Sequence, residues 1–286
     1  MNNLVLRALT GAVYVCLICA AVILKGWIAG IIFGFMAGAA VNEFITLAWN
    51  KESEEAKARH KRLRLADTLL SAAIVGQAVA TGLGTGLFVA FGLLFLYLIV
   101  RPVVELYTRE DAPVRSIALS YMAHVYITVP LCFLPCISAF GGHSSPVSGI
   151  ALTLAVFVMI WLSDTGAYLV GSAIGRHKLF PRISPAKSWE GFAGGVLFAT
   201  LSGLAASYAF PDWFGALSPA RLCGLGLTVA IFSTWGDLVE SLIKRSTGVK
   251  DSGRLLPGHG GMLDRIDSLL LVIPASLAYL FLTDML

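Results

Sequence analysis

The chain has 286 residues, of which 57% are hydrophobic and 13% charged, and its formal net charge is +4. Soluble domains carry about a quarter charged residues. At a mean hydropathy of +0.80 the composition therefore excludes an ordinary soluble α/β domain and fits an integral membrane protein. The small net charge and the lack of a basic amphipathic repeat argue against nucleic acid as a partner.

A helix needs about 20 mostly apolar residues to span the hydrocarbon. Nine stretches qualify: 4–24, 27–48, 66–82, 84–107, 117–138, 149–172, 190–210, 220–243 and 266–283. The first has one basic residue, Arg7, and the second stretch follows directly after Lys25-Gly26. It therefore reads as a retained helix rather than a cleaved signal peptide. The 66–82 stretch is short and flanked by glycine. The run Thr-Gly-Leu-Gly-Thr-Gly at 81–86 reads as a tight turn. No long linker, low-complexity tract or internal repeat is evident. The expected fold class is all-α, one integral membrane domain over 1–286. Residues 1–140 are expected to supply scaffold and lipid-facing helices, and 149–286 the catalytic helices.

Basic residues orient such a chain, because cytoplasmic loops are enriched in Lys and Arg. With the N-terminus inside, the inner segments hold Arg7; Lys51, Lys57, Arg59, Lys61, Arg62 and Arg64; Arg101, Arg109 and Arg115; Arg176, Lys178, Arg182 and Lys187; and Lys244, Arg245, Lys250, Arg254 and Arg265. Of the 21 basic residues, Lys25 and Arg221 alone fall outside. The reading is N-terminus cytoplasmic, C-terminus outside, with bland outer loops such as 141–146. The five cysteines, Cys16, Cys19, Cys132, Cys136 and Cys223, all sit in apolar runs. None forms a paired C-x-x-C pattern, so they read as small buried hydrophobes rather than zinc ligands.

Charge inside a spanning helix costs about 2.5–3.5 kcal/mol at its centre, and it marks function by default. Asp164 lies toward the inner end of its span, as do Asp237 and Glu240 in theirs; Asp264 and Asp267 open the last span, and Glu43 closes the second. All six are expected at one bilayer depth. Asp237 and Glu240 are three residues apart, as are Asp264 and Asp267, so each pair shares a helix face. Clustered carboxylates need a positive charge among them, and oxygen-only ligands favour Mg²⁺ or Ca²⁺. The alternative is pairing with basic residues, such as Asp264 with Lys244; Glu43 fits an interfacial structural role at least as well.

The neighbouring loops suit phosphate. "FPRISPAKSWEG" offers Arg182, Ser184, Lys187 and Ser188 before a helix start, where free N–H groups attract anions; either serine also fits a plain N-cap. Lys244, Arg245, Lys250 and Arg254 precede His259-Gly260-Gly261, with Asp251 interleaved. Adjacent glycines let backbone N–H groups approach a phosphate closely. Ala167, Gly171 and Gly175, at i, i+4 and i+8, read as a packing stripe.

The stretch "SLIKRSTGVKDSGRLLPGHGGMLDRID", Ser241 to Asp267, resembles the signature of the phosphatidate cytidylyltransferases, or CDP-diacylglycerol synthases. Its elements are a serine, a Lys-Arg pair, a Lys-Asp pair, a small residue, Pro-x-His-Gly-Gly and Asp-Arg-x-Asp. The segments "SDTGAYLVGSAIG" and "ISPAKSWEG" look like that family too, so the resemblance covers about 160–270. The first half matches in hydropathy and in Glu43.

The resemblance implies that CTP and phosphatidic acid, a membrane lipid, give CDP-diacylglycerol and pyrophosphate with Mg²⁺. It also implies a bacterial inner-membrane enzyme with its site facing the cytoplasm. A second, monovalent cation such as K⁺ and a homodimer come from the family alone. The residue roles are then as follows. Asp237, Asp264 and Asp267 hold the metal, with Asp164 contributing. Lys244, Arg245, Lys250, Arg254 and Arg265 neutralise phosphates. Arg182, Ser184, Lys187, Ser188, Asp251, Gly260 and Gly261 bind substrate, and His259 is placed to protonate the leaving pyrophosphate. Two rivals stand beside this reading. One is a cytidylyltransferase or kinase acting on another lipid, such as an ether lipid or polyprenol. The other is a transporter of a phosphorylated solute, which would place its charges near the midplane and in both halves.

Overall fold

The computed structural model describes residues 3–50, 53–108, 112–140, 146–214, 217–253, 255–256, 258 and 260–284. The protein is an all-α polytopic membrane protein. Among the described residues, eight helices are long and apolar enough to cross a membrane, and Leu9–Leu24 is a shorter apolar helix. The chain divides into two compact units: 1–135 with 246–265, and 136–245 with 266–286.

The first unit begins with α1 (Asn3–Leu24), α2 (Gly26–Ala48), α3 (Glu54–Thr81) and α4 (Thr85–Thr108). Helix α3 starts well before the apolar stretch that predicts it. Its first turns are the basic run expected as a loop, because Glu, Ala, Lys and Arg are strong helix formers. The Gly82 and Gly84 turn is as expected, with φ of 70° and 84°, a region open to glycine.

Helices α2 and α3 pack backbone to backbone. A Cβ on Gly34 would stand 2.6 Å from the Ala72 carbonyl and 3.2 Å from the Gly76 Cα; small residues at such spacing let membrane helices approach closely. Phe33, Phe44, Ile74, Ile127 and Leu131 fill the unit's core. Helix α4 leaves Phe88, Phe95 and Leu106 exposed, an apolar face suited to lipid.

The expected span 117–138 is not one regular helix. It comprises α5 (Pro113–Ala123), a π-helical turn (His124–Thr128), α6 (Val129–Cys132) and α7 (Leu134–Ala139). Pro130 and Pro135 lack the N–H that a continuous ladder needs.

A buried polar network ties α3, α4 and α5 together. Asp67 accepts from Ser120 Oγ at 2.8 Å and from Tyr97 Oη. Arg101 pairs with Glu105 and donates to Ser116 Oγ at 2.7 Å and Ser120 Oγ at 3.3 Å. His124 Nδ1 meets Thr128 Oγ1 at 3.0 Å, and Thr128 meets Ser71 at 2.7 Å. Arg101, counted above among the inner-side charges, is thus an intrahelical ion-paired residue, 3% exposed.

The second unit holds α8 (Pro146–Ile174), β1 (Lys178–Phe180), β2 (Ser184–Ser188), α9 (Trp189–Ala209), α10 (Pro211–Phe214), α11 (Pro219–Thr247) up to Arg245, and α12 (Leu263–Asp284) from Ile266. The antiparallel β1–β2 hairpin, pairing Lys178 with Ser188 and Phe180 with Ser184, was not foreseen from sequence. Helix α12 begins three residues ahead of the predicted 266. The small stripe on α8 packs as expected: a Cβ on Gly171 would sit 3.3 Å from Gly191 Cα of α9. Of the cysteines, Cys132 and Cys136 are buried as expected, but Cys16 is exposed, and all five are free thiols.

Candidate active site

In the second unit the hairpin delivers its last residues to the start of α9. Ser188, the last residue of β2, is the N-cap: its Oγ accepts from Gly191 N at 3.1 Å. That satisfies a helix-start donor, and the Trp189 N–H donates to the His177 carbonyl at 2.9 Å, closing the hairpin base. One residue before the cap, the Lys187 Nζ lies 2.9 Å from Asp237 Oδ2 on α11. It also donates to the Thr234 carbonyl at 3.4 Å. Ser241 Oγ, one turn beyond Asp237, donates to Asp237 Oδ1 at 3.2 Å.

Asp267 on α12 is half-buried and accepts from the Ser268 N–H at 2.6 Å. It lies within electrostatic range of Asp237, Asp164 and Lys187. Gly236 permits this approach, since a Cβ there would stand 2.7 Å from the Asp267 carbonyl oxygen and 2.8 Å from Ser268 Cα. A cavity of about 400 Å³ opens here, lined by Asp164, Tyr168, Lys187, Ser188, Thr234 and Asp237 among others. The unit therefore sets two carboxylates, Asp164 and Asp237, and one ammonium at the wall of an open cavity by a helix start, with Asp267 within electrostatic range. Such an arrangement attracts cations and can hold a cation-bound phosphate against the lysine. Among the described residues, no three His, Cys, Asp or Glu side chains converge closely enough to hold a metal ion by themselves.

The other predicted residues of this unit do different work. Lys244, expected at the phosphates, pairs with Glu240 one turn earlier on α11, where Glu240 is fully buried. Arg245 Nε donates to the Ile183 carbonyl at 3.4 Å, tying the end of α11 to the hairpin turn. Arg182 is exposed on that turn and Ser184 is half-buried at the start of β2.

The signature loop belongs to the first unit. Leu256 and Gly260 pair as an isolated bridge, and the chain turns at Gly258 and Gly260 with φ of 76° and 83°. Asp264, in the first turn of α12 as predicted, accepts from Gly261 N at 2.7 Å and from Ser252 N at 3.0 Å. The Gly261 amide, expected at a phosphate, points at this carboxylate instead, because three residues of chain place the two face to face. Lys250, Asp251 and Arg265 are exposed, and the Arg265 carbonyl accepts from Tyr14 Oη at 2.8 Å. Arg254, Pro257 and His259 lie outside the described residues. The sequence reading missed Ser252 and left Glu43 out of the site. Glu43, 7% exposed, accepts from Ser252 Oγ, Met262 N and Leu263 N, each at 2.9 Å.

The chain matches the cytidylyltransferase family over residues 5–283. It is 50% identical over 126 residues to a phosphatidate cytidylyltransferase of Staphylococcus aureus (strain COL), covering 44% of this chain and 47% of that one. A protein of the same name from Staphylococcus saprophyticus is 48% identical over 157 residues, 55% of this chain and 56% of its own. One from Haemophilus influenzae is 44% identical over 130 residues, 45% of each. These alignments span about half the length of the curated relatives. With a whole-length family match and a carboxylate–lysine cavity in its second unit, the chain belongs to the cytidylyltransferase family.

Proposed function

We propose that the protein is a phosphatidate cytidylyltransferase of a bacterial inner membrane, with its site on the cytoplasmic side. An oxygen of the phosphatidate phosphate attacks the α-phosphorus of CTP. The bond from that phosphorus to the α,β-bridging oxygen breaks, and pyrophosphate leaves with the electron pair. The nucleophile is already an anion, so no serine or cysteine need be activated. The obstacle is repulsion between two anions, which positive charge at the reacting phosphates relieves.

The observation that carries this reading is Asp164, Asp237 and Lys187 at the cavity, with Asp267 in electrostatic range of all three. Its donor set is hard oxygen, which suits Mg²⁺. Mg²⁺ usually takes one or two carboxylates and completes its shell with water and substrate phosphate, so a site without three convergent carboxylates fits it. Asp237 and Asp267 would hold the ion, with Asp164 near it; when bound, Mg²⁺ supplies charge neutralisation at the reacting phosphates. Ser241 and Lys187 fix the Asp237 carboxylate from two sides. Lys187 and the start of α9 face the cavity as the anion-binding side. The resemblance to the family is what supports a phosphate-binding role for Lys250 and Arg265, both exposed.

Purified protein given phosphatidic acid vesicles and CTP labelled at its α-phosphorus should transfer label to lipid, and EDTA should stop it. Label transferred from the γ-phosphorus instead, to diacylglycerol or polyprenol, would show a kinase. Transfer to neither lipid by folded protein would overturn the proposal.

A further inference from the structure

Glu43 is a buried carboxylate on α2, and its hydrogen-bond partners lie more than 200 residues away in sequence. Its Oε1 accepts from the Met262 N–H, and its Oε2 from the Leu263 N–H and the Ser252 hydroxyl, all at 2.9 Å. Met262 and Leu263 are the entry to α12, whose first N–H groups have no partner within the helix. Glu43 therefore caps a helix from another part of the chain, and charge-assisted bonds of this kind are the strong ones.

The loop is built to admit it. A Cβ on Gly253 would stand 2.7 Å from the Glu43 Cδ. One on Gly261 would collide with both Glu43 Oε2 and Ser252 Oγ. Ser252 then passes the constraint on. Its hydroxyl donates to Glu43 and receives the Asp264 N–H at 3.3 Å, and its own N–H donates to the Asp264 carboxylate at 3.0 Å. Together with the Gly261 N–H these bonds fix where Asp264 points and where α12 starts. A helix whose start is fixed has its rotation fixed too, and Asp267 lies three residues further along it.

We infer that Glu43 is a positioning residue for the reaction proposed above, acting through Ser252 and Asp264 to orient the acidic face of α12. The inference rests on that reading of the function. It touches neither substrate nor the reacting atoms. Carboxylates that hold the groups around a metal typically govern 10–100-fold of affinity or activity.

The test uses the full-length protein in detergent with CTP and phosphatidic acid. In Glu43→Gln one accepting oxygen becomes an NH₂ that opposes an N–H or O–H donor. The folded fraction should lose kcat by about 10–100-fold and need more Mg²⁺ for half-maximal rate, with the KM for CTP little changed. Ser252→Ala should show the same pattern more weakly, and the double variant should be no worse than Glu43→Gln, since both act through one chain of bonds. Amide exchange at Ser252, Met262 and Leu263 should rise in Glu43→Gln. A folded Glu43→Gln protein with wild-type kcat and Mg²⁺ dependence overturns the inference, as do losses that simply multiply in the double variant. Should Glu43→Gln not fold, Ser252→Ala decides by the same criteria. Should the wild type make no labelled lipid, the functional reading fails, and unchanged exchange in Glu43→Gln would separately end the clamp.

Discussion

Two sets of acidic residues, one in each unit, live under different conditions. In the first unit Glu43, Asp67 and Glu105 are all 7% exposed or less, and each has donors close by: Ser252 and two helix-start amides, Tyr97 and Ser120, and Arg101 respectively. In the second unit Asp164 and Asp237 line an open cavity with Lys187, and Asp267 lies within electrostatic range of all three. Burial of charge is costly unless hydrogen bonds and partners meet every group. The first set lies buried among donors of the protein itself and so helps hold the fold together. In the second, Asp164 and Asp237 line a space that a cation and phosphates can enter. In a chain this apolar, access to an open cavity separates a candidate catalytic carboxylate from a structural one.

The largest effect expected on the structural side comes from Arg101→Ala. It leaves Glu105 and the hydroxyls of Ser116 and Ser120 buried without the guanidinium, and should cost about 3–5 kcal/mol of stability. Thermal melting in detergent reads this loss, and the molecules that remain folded should turn over normally. A melting temperature equal to wild type would remove the contrast between the units. On the other side, Lys187→Ala should lower kcat/KM for CTP by the value of a charge-assisted phosphate contact, about 1.5–3 kcal/mol, with little change in melting. Unchanged steady-state kinetics would take Lys187 out of the site. The smallest effect is that of Ser188→Ala. Losing the N-cap of α9 should cost about 1 kcal/mol of stability. If kcat also falls, Ser188 does more than cap, a point that melting and kinetics on the same sample resolve.

The sequence revealed the parts governed by local rules. Apolar run lengths located the spans, the glycines at 82 and 84 marked a turn, and Ser188 was one of two cap candidates. The signature at 241–267 pointed to the family. What escaped was set by distance or by competition between rules. The β1–β2 hairpin has strands of three and five residues around Pro181, too short for a period of two to show. The basic run before 66 reads as a loop by its charge, yet its Glu, Ala, Lys and Arg are strong helix formers. Arg101 reads from sequence only as an inner-side charge at the end of a span, because nothing in a sequence reveals that Glu105, Ser116 and Ser120 enclose it. The pairing of Glu43 with Ser252 and the start of α12 spans 209 residues and more, beyond any spacing argument. The signal available was a lone carboxylate near a helix end, which has no address until the loop folds over it.

The most direct measurement compares Asp237→Asn with Asp67→Asn, each purified in detergent and assayed for melting and for Mg²⁺-dependent transfer of cytidylyl label to phosphatidic acid. Asp237→Asn should stay folded and lose about 10³-fold in turnover, or roughly 4 kcal/mol of barrier lowering. Asp67→Asn should melt lower and keep the turnover of its folded fraction. A folded Asp237→Asn protein with near wild-type turnover and unchanged Mg²⁺ dependence would contradict the assignment of the second unit's cavity as the catalytic site.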